Sequence, residues 1–323
     1  MADTKPSKKT MRGWAIKGYG EPMQLMDVPV PREPGSRDVV IKMRGAEVGD
    51  WDELVRRGEW DMEREFPLVL GLAGAGTAVS VGRDVQGFNE TDRVYAYSYP
   101  LYDNGAWAQY MMVPDSYLAH APSSLDLLRA GALPIVGLTA HETLVDILDV
   151  QEDDIIVISA AAGGVGHLAV QIASGVGAHV VATTSARNRN FVADLGAETV
   201  IDYTAEDDMT KAIRAIYPGG VDKVLNGVAG EDANDYVWAL REGGKMVDLP
   251  GAVTVKRPDV EVVSDYVVRG DGDRLGIVTR MIDGGVLQLV VQDIFQFNHA
   301  PDALDMVLNK HVHGKVALEI QAM

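Results

Sequence analysis

The sequence predicts an α/β protein in which a doubly wound parallel sheet is joined to a second, β-rich domain. Three observations predict it. Short strand-like runs broken by turn signals fill residues 11 to about 120, apolar strands alternate with helical stretches from about 125 to 268, and the last stretch, 269–323, is too small to fold alone. The division is therefore 1–124 for the β-rich domain, completed by 269–323, with 125–268 as the parallel-sheet domain.

In the first part, strands are expected at 38–43, 68–70, 76–81, 93–97 and 109–113, punctuated by Gly-Tyr-Gly, Pro-Gly-Ser and Asp-Asn-Gly. In the second, strands at 155–160, 179–184, 198–202, 222–226, 245–249 and 260–268 alternate with helices such as 167–176, 187–195 and 231–241. The closing segment reads as a helix near 271–283, a strand near 290–294, a helix near 300–309 and a strand over 315–320.

Composition narrows the function. The chain has 323 residues, 47% of them hydrophobic, so two domains with cores of their own are affordable at roughly 100 to 200 residues each. Against 29 Lys and Arg stand 47 Asp and Glu, a formal charge of -18. Such a surface repels nucleic acid and anionic membranes, and the expected partner is a small molecule. The absence of cysteine removes disulfides, thiolate-ligated metals and thiolate catalysis together. The opening MADTKPSKKT is polar and basic without an apolar stretch, and reads as an arm before a fold that begins near Met11 in a cytoplasmic protein. Residues 155–186 carry no Asp, Glu, Lys or Arg, but Gly163, Gly164 and Gly166 interrupt them and their pattern changes, so they read as buried strand, helix and strand rather than a membrane span.

The most informative stretch follows the strand at 155. Ala160-Ala161-Ala162-Gly163-Gly164-Val165-Gly166 leads into a helix beginning at His167. Gly163 lets backbone approach a pyrophosphate, Gly166 lets helix and strand pack closely, and the amides at the helix start bind the anion. Ala161 stands where the usual pattern has its first glycine; a plain tight turn is the alternative. About 20 residues on, an acid would hold a ribose 2'-hydroxyl. The strand ends instead at Ser185, followed by Arg187 and Arg189, groups that can neutralise a 2'-phosphate. NADP(H) is the expected cofactor, with solvated helix-start arginines as the competing reading.

With these pieces in place, the chain resembles the medium-chain dehydrogenase/reductases of the zinc-free quinone oxidoreductase type. The resemblance rests on Gly18-Tyr19-Gly20, Asp27-Val28-Pro29-Val30-Pro31, Val48-Gly49-Asp50-Trp51-Asp52 running on to Gly58, Gly71-Leu72-Ala73-Gly74, Gly105-Ala106-Trp107-Ala108, Gly137-Leu138-Thr139-Ala140, the glycine turn, Leu195-Gly196-Ala197, Val200-Ile201-Asp202-Tyr203 and Gly314-Lys315. It implies a GroES-like substrate domain built from both chain ends, a Rossmann domain between them, an active-site cleft at their junction, and a homodimer paired through the last Rossmann strand.

Metal-dependent relatives carry cysteine at the position of Gly49, histidine at that of Leu72 and glutamate at that of Ala73. None of those ligands is present, no metal site is expected, and hydride delivery to a quinone or an α,β-unsaturated carbonyl becomes the expected reaction. The resembled quinone reductases place asparagine at 49 and tyrosines at 54 and 60, where this chain has Gly49, Leu54 and Trp60. Asp52 matches the family's aspartate and either donates a proton or orients the loop; Asp50, which has no counterpart, belongs to the expected substrate pocket or is simply exposed. Thr139 is implied beside the nicotinamide or is a helix cap, and Tyr203 is implied at the adenosine phosphate or is a strand-end aromatic. Asn226 and Gly251 follow strands where backbone approaches a cofactor, and Lys315 reaches the cofactor or caps a strand. Trp51, Trp60, Tyr97 and Tyr99 are expected walls for a planar substrate, at least two of them core residues. A zinc-free carbonyl reductase and a non-catalytic NADPH-binding scaffold stay open as alternatives.

Overall fold

The structure is a computed structural model that describes residues 10–60, 65–99, 101–264, 266–309 and 312–320. The expected arm lies outside the described residues except for Thr10, which already belongs to a strand. In chain order the elements are β1 (Thr10–Ile16), β2 (Gln24–Pro29), β3 (Asp38–Val48), α1 (Trp51–Arg57), β4 (Leu68–Val69), β5 (Ala73–Val81), β6 (Arg93–Tyr97), β7 (Tyr110–Pro114), β8 (Leu118–His120), α2 (Leu127–Ala130) and α3 (Pro134–Glu142). There follow β9 (Ile155–Ile158), α4 (Gly166–Val176), β10 (His179–Thr184), α5 (Arg189–Asp194), β11 (Thr199–Asp202), α6 (Met209–Ile216), β12 (Val221–Asn226), α7 (Ala233–Ala239), β13 (Leu240–Asp248) and β14 (Glu261–Val263). The chain closes with α8 (Gly272–Asp283), β15 (Val291–Gln296), α9 (Ala300–Leu308) and β16 (Lys315–Glu319).

Two compact units result: residues 1–138 with 269–284 and 291–323, and residues 139–268 with 285–290. The first contains a seven-stranded sheet in the order β15-β16-β3-β5-β6-β8, with β7 paired to β3, and a three-stranded sheet β2-β1-β4. Residues 125–138, which the rhythm of the sequence assigns to the central domain, group with this unit because α2 lies directly on β3. A Cβ on Gly45 would sit 2.4 Å from the Leu128 carbonyl oxygen, and one on Gly131 2.5 Å from the Gly45 backbone.

The second unit is a six-stranded sheet in the order β11-β10-β9-β12-β13-β14, parallel throughout. The β-branched run Ile155-Ile156-Val157-Ile158 makes β9 a central strand, paired with β10 on one side and β12 on the other. Val157, Val181, Val224, Met246, Ile213 and Tyr236 form one buried cluster. The helices are stopped as their sequences require: Asp208 accepts from Lys211 N–H at the start of α6, and Gly177 ends α4 at φ 96 with its N–H bonding the carbonyls of Ala173 and Ser174.

The last strand is shorter than the sequence suggests. Among the described residues Glu261–Val263 pair with β13, and Asp265 lies outside the described residues. Ser264 and Asp265 interrupt the apolar run, and by Gly270 the backbone has left for the first unit, donating to the Tyr99 carbonyl at 3.2 Å. Among the described residues no helix is long and apolar enough to cross a membrane.

Candidate active site

In the second unit the order of the strands reverses direction between β9 and β12, the place where an open parallel sheet receives a ligand at its carboxyl end. The glycine turn lies there. A Cβ on Gly166 would fall 2.4 Å from the Ala160 carbonyl oxygen and 2.7 Å from Ala161 Cα, so only glycine fits. A Cβ on Gly163 would meet that same carbonyl at 3.2 Å, and Gly163, Gly164 and Val165 stay partly exposed while Ala162 is buried. The left-handed residue of the turn is Ala160, at φ 50, a conformation that costs a non-glycine residue roughly 1–2 kcal/mol. Among the described residues no side chain caps the start of α4, whose N–H groups from His167 to Ala169 bond the carbonyls of Gly163 and Val165.

His167 secures this turn. Its backbone N–H and its Nδ1 both bond the Gly163 carbonyl, at 3.0 and 2.9 Å, and its Nε2 accepts from Val290 N–H at 3.3 Å. The last bond makes Nε2 the acceptor and Nδ1 the protonated nitrogen. One turn along the helix, Gln171 exchanges two hydrogen bonds with the backbone of Gln288. The sequence points to the turn but not to these anchors, because their partners come from the distant segment 285–290.

At the neighbouring strand ends Ser185 is half-buried, Arg187 and Arg189 are exposed, and Tyr203 is 46% exposed. The register pairs Thr184 with Asp202, which brings β10 and β11 to a common edge. Arg189 donates to the Val200 carbonyl at 3.0 Å, and its charge helps hold the Asp202 carboxyl below the usual range, after the hydrogen bonds from Thr204. Asp202 is a neighbour that strand patterning alone does not reveal. Asn226 ends β12 fully buried, and Gly251 follows β13 in an exposed left-handed turn at φ 64. Thr139 lies in α3, 6% exposed, its carbonyl accepting from Thr143 Oγ1 at 2.7 Å.

The first unit gathers the remaining residues at the end of β3 and the start of α1. Asp52 has no exposed surface; its Oδ2 accepts from Gly49 N–H at 2.9 Å, and its Oδ1 is buried without a hydrogen-bond partner among the described residues. Burial pushes this carboxyl up to about 8, opposed by the Gly49 amide and Lys315 and reinforced by Glu47 and Asp50. Asp50 itself is exposed. Glu47 is buried, and its carboxyl is likewise raised by desolvation despite Lys315 and the amides of Ile135 and Val136. Lys315 Nζ lies 3.2 Å from Glu47 Oε1, 2.9 Å from the Val48 carbonyl and 4.5 Å from the centre of the Trp51 ring. The ammonium is thus spent inside the first unit. Glu47 Oε2 accepts from Ile135 N–H at 3.0 Å, tying the same group to the first turn of α3.

The aromatic residues divide. Trp51 is half-buried and lies over position 49. Trp60 meets Tyr99 at 4.9 Å, and Tyr99 stacks on Tyr97 at 6.1 Å. Tyr97 is only 1% exposed, so it supports Tyr99 from within. Leu72 and Ala73 are buried, and among the described residues no three His, Cys, Asp or Glu side chains gather in a way that could hold a metal ion.

Known proteins share this architecture. Residues 164–264 match the family model described as zinc-binding dehydrogenase, and residues 35–123 match the alcohol dehydrogenase GroES-like domain. An NADPH-dependent alkenal/one oxidoreductase of Arabidopsis thaliana chloroplasts is 32% identical over 96% of this chain and 80% of its own. A chloroplastic quinone oxidoreductase of Triphysaria versicolor is 29% identical over 96% of this chain and 99% of its own. The solved quinone oxidoreductase of Coxiella burnetii superposes with a TM-score of 0.86 at 28% identity, covering 97% of this chain and 100% of the other. The chain belongs to the medium-chain dehydrogenase/reductase superfamily. Within it the protein is a quinone oxidoreductase-like oxidoreductase, a group that implies a nicotinamide cofactor. The turn at Gly163 and the uncapped start of α4 fit the pyrophosphate of such a nucleotide.

Proposed function

We propose that this protein reduces quinones or α,β-unsaturated carbonyls with NADPH and without zinc. The observation that carries the reading is the filling of the space where metal-dependent relatives keep ligands: position 49 is a glycine covered by Trp51, and positions 72 and 73 are the buried apolar residues Leu72 and Ala73. No side chain there can polarise a simple carbonyl, which favours an acceptor that spreads the arriving charge over its own conjugated system. When bound, the nicotinamide supplies the hydride.

The chain's residues take the following parts in this reading. Backbone amides from Ala162 to Gly166 bind the pyrophosphate; Ser185, Arg187 and Arg189 hold the 2'-phosphate, with Tyr203 beside the adenosine. Gly251 lines the nucleotide through its backbone, and Thr139 orients the carboxamide. Trp51, Trp60 and Tyr99 stack on the planar acceptor, Tyr97 backing them. Asp52, wholly buried and bonded to Gly49, shapes the turn that carries Trp51, and solvent water protonates the reduced product. A cytoplasmic homodimer belongs to the same reading: the exposed edge at β14 asks for a mate, although only three of its described residues are strand.

The test is steady-state oxidation of NADPH and of NADH by a 1,4-quinone. A kcat/KM at least about tenfold higher with NADPH is expected from one or two charge-assisted contacts to the phosphate. Equal values for the two nucleotides would refute the NADPH assignment.

A further inference from the structure

Five buried polar side chains cross the carboxyl end of the parallel sheet. Thr183, Ser159, Asn226 and Asp248 come from the ends of β10, β9, β12 and β13, four strands adjacent in the sheet, and Tyr236 comes from α7. None is more than 2% exposed. The Tyr236 hydroxyl bonds Thr183 Oγ1 at 2.9 Å and also Ser159. Ser159 Oγ donates to Asn226 Oδ1 at 2.6 Å, and Asn226 Nδ2 donates to Asp248 Oδ1 at 2.8 Å.

The Asn226 amide is saturated. Its oxygen also accepts from Val228 N–H at 3.1 Å and its nitrogen also donates to the Val228 carbonyl at 2.9 Å, which uses its two acceptor and two donor positions. The same chain reaches the loops at three points: Gly227 N–H donates to Ser159 Oγ at 2.8 Å, Val228 bonds Asn226, and Val253 N–H donates to Asp248 Oδ2 at 2.8 Å. Burying so many polar groups stabilises a fold less than apolar side chains of similar shape would. What the network adds is geometry, since each member fixes the orientation of the next and the outermost bonds fix loop backbone.

We propose that this network sets the shape of the loops after β12 and β13 and thereby the affinity for the nicotinamide nucleotide, with Asp248 as the positioning residue that joins the two loops. The proposal rests on the nicotinamide reading above. Asp248 touches no nucleotide in it; the carboxylate works through Asn226 and Val253. An amide at 248 would turn its NH2 toward one of two N–H donors and break one of the two bonds.

The test uses the full chain, Asp248→Asn, and Ser159→Ala as a second break in the same network. Amide hydrogen exchange of the nucleotide-free proteins is read on peptides covering 226–230 and 248–255, and the Kd for NADPH is read by titration of its fluorescence. In both variants, exchange of the two loops should speed up about tenfold with β9 and β10 unchanged, the Kd should rise about tenfold, and kcat at saturating nucleotide should stay within about twofold. Unchanged exchange in the loops, or loosened loops with a wild-type Kd, overturns the proposal. Should Asp248→Asn fail to fold, Ser159→Ala decides. A wild-type chain that binds no nucleotide would remove the nicotinamide reading and this proposal with it, a failure visible before any variant is made.

Discussion

The indole of Trp51 occupies the space that a side chain on residue 49 would need: a Cβ there would lie 2.1 Å from Trp51 Cε2. The glycine at 49 and the tryptophan at 51 are therefore one feature. Gly49→Asn, which restores the residue of the resembled quinone reductases, should destabilise by about 1–3 kcal/mol through overpacking. Gly49→Asn with Trp51→Val should regain most of it, and a double-mutant cycle in urea should show coupling of at least about 1 kcal/mol. Additive effects would show that the two positions are independent.

Lys315 and Glu47 meet inside the first unit from opposite ends of the sequence, closing β16 against β3. Lys315→Met leaves a buried carboxyl unpaired and should cost about 3–5 kcal/mol in urea unfolding, while Lys315→Met with Glu47→Gln should recover much of the loss. A single substitution costing under about 1 kcal/mol would contradict the pairing.

What the sequence discloses and what it hides divide along physical lines. The glycine turn is legible because only glycine tolerates the 2.4 Å approach to Ala160, and the strand Ile155–Ile158 because β-branched runs fit a buried parallel strand. The Glu47–Lys315 pair is hidden, since periodicity carries no record of which distant charges meet. Ala160 in a left-handed turn is hidden as well, because a compact surrounding structure imposes it against local preference. Of the strand foreseen over 260–268, three of the described residues, Glu261–Val263, are strand, since β-branched composition describes a tendency that pairing partners must complete. The resemblance sets Asp52 apart from Asp50 but leaves its role open; burial separates them physically, the first fully enclosed and the second exposed.

The burial of Asp52 has a sign that can be measured. Its carboxyl titrates near 8 in the folded protein against 3.8 for an unperturbed aspartate. Between those values the folded state holds a proton that the unfolded state has released, so this group makes stability fall as pH rises from about 4 to about 8. Asp52→Asn keeps an oxygen to accept from Gly49 N–H and carries no such slope. Its unfolding free energy relative to wild type should climb between pH 5 and pH 8.5, with turnover at pH 7 within about threefold of wild type. A constant difference across that range would contradict the buried carboxyl, and a loss of turnover of about a hundredfold or more would make Asp52 the proton donor.

The two arginines that follow β10 should both support a preference for NADPH. Arg187→Ala should weaken NADPH binding about tenfold and leave NADH unchanged. Arg189 is also bonded to the Val200 carbonyl and faces Asp202, so Arg189→Ala should weaken both nucleotides as well as narrowing the preference. Calorimetric titration of both nucleotides checks this; an unchanged ratio in a variant that combines Arg187→Ala with Arg189→Ala would remove the 2'-phosphate from this site.

The most direct test of the reductase reading is a single turnover. The protein preloaded with NADPH is mixed separately with a 1,4-quinone, a cyclic enone and the matching saturated ketone, and loss of dihydronicotinamide absorbance is followed. The quinone or the enone should oxidise the bound nucleotide at least about a hundredfold faster than the saturated ketone, since only the conjugated acceptors disperse the incoming charge without an electrophile from the protein. Faster oxidation by the saturated ketone, or none by any of the three, would contradict the account.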